Sequence, residues 1–148
     1  MKKTAIIAIG ILFTWFTLDI TGFAIGEFIL VVSAFKDEPV DILWWGFFII
    51  AFILFIFKDK IGKYIMLVFL VIWAVGQGAI YFRDKEGIQG YYNFFYKEGT
   101  HRLISASDLY LIKDTYHIFL DFFIFVSLVC VIIFILKRLK KLKNSIIQ

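Results

Sequence analysis

The sequence has one cysteine, one proline and two histidines in 148 residues. One thiol makes no intramolecular disulfide and builds no multi-cysteine metal centre. Cys130 lies inside a long apolar run and reads as a small buried apolar side chain. There is no His-Glu-x-x-His or His-x-x-Glu-His zinc motif, no Gly-x-Ser-x-Gly nucleophile elbow and no phosphate-binding glycine loop. A haem held by two histidines within a membrane is excluded as well, because His101 falls in a loop and only His117 falls near a span. No cofactor and no metal ion is therefore expected. No motif is specific enough to name a family. Charge is also scarce, at 19% of residues, and the chain lacks the alternating polar stripes of a water-soluble fold.

What the chain has instead is long apolar runs. It is 61% hydrophobic and 20% aromatic, where soluble domains are typically about 45–50% apolar. A helix crossing the hydrocarbon needs roughly 20 apolar residues. Four runs qualify, at about 4–22, 42–57, 63–82 and 115–137. The expected fold is an all-α integral membrane protein with a single membrane domain over 1–148. Its four transmembrane helices form an up-down antiparallel bundle.

Basic residues near span ends stay cytoplasmic and set the threading. Lys2, Lys3, Lys58, Lys60, Lys63, Lys137, Arg138, Lys140, Lys141 and Lys143 fall on one side, ten of the sixteen. Lys36, Arg83, Lys85, Lys97, Arg102 and Lys113 fall on the other, which also holds most of the acids. Both termini are expected in the cytoplasm of a cell (plasma) membrane, with segments 23–41 and 83–114 outside and a basic tail at 138–148. The first run is expected to stay as a span, because no small-residue cleavage site follows Trp15 and Phe16. In the tail, Lys137, Arg138, Lys140, Lys141 and Lys143 are candidate contacts for anionic lipid. Nothing in it reads as a nucleic-acid module, and no nucleic-acid partner is expected.

The stretch TLDITGFAIGEF, residues 17–28, decides how far the first helix runs. A helix from Thr4 to Ser33 would be about 45 Å long, against a hydrocarbon core of about 30 Å. Residues 27–35 are rich in β-branched and aromatic side chains, which suit a strand. Gly22 and Gly26 allow turns. The helix is expected to end near Asp19–Gly22, with a short β-hairpin at about 22–35 in a small outer cap built from the first and third loops. The rival is a longer helix using Gly22 and Gly26 as a small-residue packing face. Pro39 then turns the chain into the second span, whose outer end carries the interfacial pair Trp44 and Trp45.

In the third loop, Tyr91, Tyr92, Phe94, Phe95 and Tyr96 suit either the membrane interface or the outer ends of the bundle. Ser105, with Asp108 three residues on, is a candidate N-cap for a last helix running on to about Lys143. Asp114, His117 and Asp121 share one face of that helix. Depth counting brings Asp19, Gln77, His117 and Asp121 to the outer third of the bundle, where ionisable groups face an interior or a wet cavity. Gly76 and Gly78 around Gln77 would allow a neighbouring helix to approach.

This cluster is read either as a structural tie between helices or as a functional site. The leading expectation is a small, non-enzymatic envelope protein, of bacterial type by composition. It would be an accessory, regulatory or immunity-type subunit acting through a membrane-protein partner or a second copy of itself. A second is an enzyme acting on lipid or lipid-linked substrates at the outer leaflet, with His117 as base and Asp121 or Asp114 orienting it. A third is an oligomeric proton-coupled transporter or channel.

Overall fold

The computed structural model of the chain describes residues 1–35, 39–80, 99–104 and 113–147. In chain order it has α1 (Lys2–Thr21), β1 (Phe23–Ile25), β2 (Phe28–Val31), α2 (Pro39–Phe57), α3 (Asp59–Ile80) and α4 (Thr115–Ile147). All four helices are long and apolar enough to cross a membrane. α4 has 33 residues, about 50 Å, and its excess over a bilayer core is the basic stretch after Leu136.

The helices bury stripes at helical spacing. In α1 the stripe is Ala5, Ile9, Leu12, Phe16, Asp19 and Ile20. α3 contributes Met66, Phe69, Leu70 and Trp73, and α4 contributes Tyr116, Leu120, Ile124, Ser127, Val131, Phe134 and Ile135. α2 buries only Phe48, Ala51 and Phe55. The opposite faces are apolar too. Leu43, Phe47, Ile50, Ile53 and Phe57 form an exposed stripe along α2. A bundle in water would carry polar residues there, whereas helices apolar all round suit a lipid surround.

Contacts along the helices fix their directions. Lys2 Nζ, at the start of α1, donates to the Ile56 carbonyl at the end of α2 (3.0 Å), where a cation meets the negative end of the helix dipole. Trp45 Nε1, near the start of α2, donates to Thr17 Oγ1 near the end of α1 (3.0 Å). Trp44 near the start of α2 packs on Trp73 toward the end of α3, and Leu54 near the end of α2 meets Gly62 near the start of α3, so the two helices are antiparallel. Trp15 Nε1 donates to the Tyr116 carbonyl (3.1 Å) and the two rings stack 5.6 Å apart, which sets α1 against the start of α4. The order is up-down-up-down. α2 and α3 meet so tightly that a Cβ on Gly62 would overlap the Leu54 carbonyl.

The first helix ends where a strand-forming sequence begins. Gly22 takes φ 75°, and its N–H bonds the Leu18 carbonyl (2.7 Å). The next two carbonyls of α1 are met from the far side of the hairpin. Ala34 N–H donates to Asp19 O (2.8 Å), and Ser33 Oγ donates to Ile20 O (2.7 Å). A Cβ at Gly22 would sit 2.9 Å from Ser33 N, so this crossing requires glycine. β1 and β2 pair antiparallel, with Ile25 opposite Phe28. Between them Gly26 has φ 59° and Glu27 does not have positive φ, the pattern of a two-residue type II′ hairpin turn. The expected hairpin is present, and the longer-helix alternative is excluded by the break at Gly22.

The third loop returns to this hairpin. Thr100 bridges Ile29 in parallel, and His101 N–H donates to the Ile29 carbonyl (2.7 Å). The His101 carbonyl then accepts from Thr115 N–H (3.0 Å), the first residue of α4. The last helix does not begin near residue 105 as expected from Ser105. Lys113 and Asp114 are non-helical and α4 starts at Thr115. Ser105 and Asp108 lie outside the described residues, as do Tyr91, Tyr92, Phe94, Phe95 and Tyr96.

Candidate functional site

The helix start moves the N-cap to Asp114. Its Oδ1 accepts the backbone N–H of His117 (2.9 Å), the third residue of α4, which is the geometry of an N-cap carboxylate. The same oxygen accepts from His117 Nδ1 (2.7 Å). The His117 ring therefore folds back onto the cap, as glutamate does in a capping box. Asp114 is 1% exposed and His117 about a fifth exposed.

One residue before the cap, Lys113 points into the bundle. Its Nζ donates to Asp121 Oδ2 (2.6 Å) and to Gln77 Oε1 (2.9 Å). Lys113 is 2% exposed. Its aliphatic stem spans from the loop to the second turn of α4 and across to α3. Burial holds the Lys113 ammonium below its ordinary range, and Asp121 and Asp114 pull in the opposite direction. A groove of about 230 Å³ opens beside this triad, lined by Ala74, Gln77, Gly78, Asp121, Ile124 and Phe125.

Two of the four residues expected to meet, Gln77 and Asp121, are brought together, with Lys113 between them. His117 is on the same helix as Asp121 but is held by Asp114. Asp19 lies on the buried face of α1, where the charges of Asp41 and Asp114 reach it. Among the described residues its carboxylate makes no hydrogen bond or ion pair. Among the described residues, Gly76 and Gly78 have no neighbour within 4 Å of an added Cβ. Trp44 and Trp45 pack inward on either side of α2, Trp44 against Phe69 and Trp73 and Trp45 against Phe13.

Sequence reasoning missed Lys113, which it counted only among the charges outside the spans. The available signal was its position directly before Asp114, at the foot of a helix whose second turn carries Asp121. Among the described residues no three His, Cys, Asp or Glu side chains gather as metal ligands would. Chemically, the arrangement offers an ion pair that joins the end of the third loop to α4, with an amide of α3 beside it, and a histidine whose Nδ1 meets a carboxylate. No protein-family model matches the chain, and neither curated proteins nor solved structures give a significant match.

Proposed function

We propose that the chain is a multi-pass membrane protein of the plasma membrane, with both termini in the cytoplasm and the hairpin end outside. We further propose that it acts as a non-enzymatic accessory, regulatory or immunity-type subunit, through a partner protein in the same membrane. One observation carries the second part. Among the described cations of the hairpin end Lys113 is the more deeply buried, and it bonds Gln77 and Asp121. That contact ties the third loop to α3 and α4. It fixes the start of α4 against α3, and a held contact of this kind suits recognition better than turnover.

The threading rests on charge. Lys2, Lys58, Lys60, Lys63 and the lysines after Leu136 belong to one end of the bundle, and the hairpin to the other. In a Cys130→Ser background, Glu27→Cys is expected to react with an impermeant thiol reagent in intact cells, and Lys60→Cys is expected to stay protected. The reverse pattern inverts the topology. Partnership is tested by purification in mild detergent and native mass spectrometry. A stoichiometric protein partner is the expected result. A chain that runs alone and chemically alters added lipid contradicts the accessory role.

A second reading has its own observation. Asp114 Oδ1 lies 2.7 Å from His117 Nδ1, and a histidine held by a carboxylate is a candidate general base. An enzyme acting on lipid headgroups at the outer leaflet would use that base. This reading requires His117→Ala to abolish a lipid change while the protein still folds and inserts.

A further inference from the structure

The opposite end of the bundle has a pocket that neither function uses. It lies between the first turns of α3 and the part of α4 that extends past its apolar run. Its volume is about 380 Å³, and it is lined by Lys60, Lys63, Arg138, Lys141, Leu142 and Ser145. Four of these six carry positive charge, and among the described residues no carboxylate lines it. Lys60 and Lys63 are three apart on α3. Arg138, Lys141, Leu142 and Ser145 follow the i, i+3, i+4, i+7 spacing of one face of α4. Ser145 Oγ donates to its own helix, at the Leu142 carbonyl (2.8 Å).

Lys63 is the informative member. It is only 8% exposed, and its Nζ lies 4.9 Å from the centre of the Tyr64 ring. Among the described residues it has no carboxylate partner. Lys63 lines the pocket beside three other cations, an arrangement that attracts an anion. The tail lysines also separate. Arg138 and Lys141 line the pocket, whereas Lys137, Lys140 and Lys143 do not. Simple attraction of a basic tail to a charged surface would not distinguish these two sets.

We infer that this pocket binds a phosphate-bearing anion, and that its source is the headgroup of an anionic phospholipid seated between α3 and α4. The source rests on the membrane reading above. The pocket begins where the apolar run of α4 ends, at the depth of headgroups, and Leu142 with the lysine stems offers an apolar wall to the glycerol region.

The test uses the full chain in neutral detergent micelles, titrated with phosphatidylglycerol or with phosphatidylcholine and read by native mass spectrometry. The wild type is expected to retain phosphatidylglycerol in preference to phosphatidylcholine. Lys60→Gln/Arg138→Gln, which changes two exposed pocket residues, is expected to weaken that retention roughly tenfold or more. Lys137→Gln/Lys140→Gln removes the same charge and is expected to change it less than about twofold. Equal loss in both variants overturns the site and leaves diffuse attraction. Displacement of the lipid by millimolar inorganic phosphate overturns the lipid as source and assigns the pocket to a soluble phosphate compound. Circular dichroism of each variant establishes that the helices are intact. Alkaline carbonate extraction of cell membranes tests the membrane reading separately, since loss of lipid retention does not release the chain from the bilayer.

Discussion

Each end of the bundle buries a lysine, and the two are buried in opposite ways. Lys113, at the hairpin end, is 2% exposed and reaches both a carboxylate and an amide oxygen. Lys63, at the basic end, is 8% exposed and has no carboxylate partner among the described residues. The first is a completed contact and the second an incomplete one. A completed ion pair of this kind fixes geometry more than it adds net stability, because desolvation offsets much of the attraction. An incomplete one implies an anion from elsewhere. The hairpin end is therefore where the chain holds itself together, and the basic end is where it is built to hold something else.

The sharpest way to break this contrast is to remove the partner from the completed end. Asp121→Ala removes the carboxylate that Lys113 Nζ bonds at 2.6 Å. It is expected to cost about 3–5 kcal/mol of unfolding free energy, measured in detergent micelles by denaturant titration. A loss under about 1 kcal/mol would mean that Asp121 does not support Lys113.

Backbone geometry gives the next largest effects, one at each end. Gly62→Ala drives a Cβ into the Leu54 backbone and is expected to lose about 3 kcal/mol by forcing α2 and α3 apart. Gly22→Ala combines φ 75° with close approach to Ser33 and should lose about 2 kcal/mol. Gly26→Ala, with φ 59° but open space around it, should lose only about 1 kcal/mol. Thermal unfolding of the three variants orders them.

The effect of pH on Lys113 is smaller, and its sign is definite. Its folded value lies below the ordinary 10.5 because of burial. Between that value and 10.5 the unfolded chain binds more protons than the folded one. Stability therefore rises with pH through this window and levels off above it. The rise should vanish in Lys113→Met, measured as unfolding free energy from pH 7 to 11.

Smallest of all is Lys63→Met. In micelles without anionic lipid it should change stability by no more than about 1 kcal/mol, because it removes one of four neighbouring positive charges that line the pocket.

The fold was largely legible in the sequence because membrane helices announce themselves by length and apolarity. The hairpin was legible because Gly22 and Gly26 bracket a strand-forming stretch too far along the chain to remain in a span. The site was legible only in part. Depth counting put Asp19 in the outer third of the bundle, but depth along one helix does not say which groups across the bundle come within bonding distance. Lys113 was hidden because a lysine before a span normally signals threading, and only the start of α4 at Thr115 turns its side chain inward. Trp44 and Trp45 carried a similar ambiguity. Indole preference for an interface does not reveal that one ring packs on Phe69 and the other on Phe13. The sequence reading took Lys137, Arg138, Lys140, Lys141 and Lys143 as one set, which the pocket divides. The match of Arg138 and Lys141 to Lys60 and Lys63 came only from the antiparallel packing of α3 and α4.

The central claim is that the Lys113–Asp121 pair is a matched structural tie, and a double-mutant cycle tests it most directly. Lys113→Met, Asp121→Leu and the double variant are unfolded in the same micelles. Each single change is expected to be destabilising, with Asp121→Leu the worse. The double variant should recover most of that loss, giving a coupling of at least about 2 kcal/mol. Losses that add within about 0.5 kcal/mol would contradict the account.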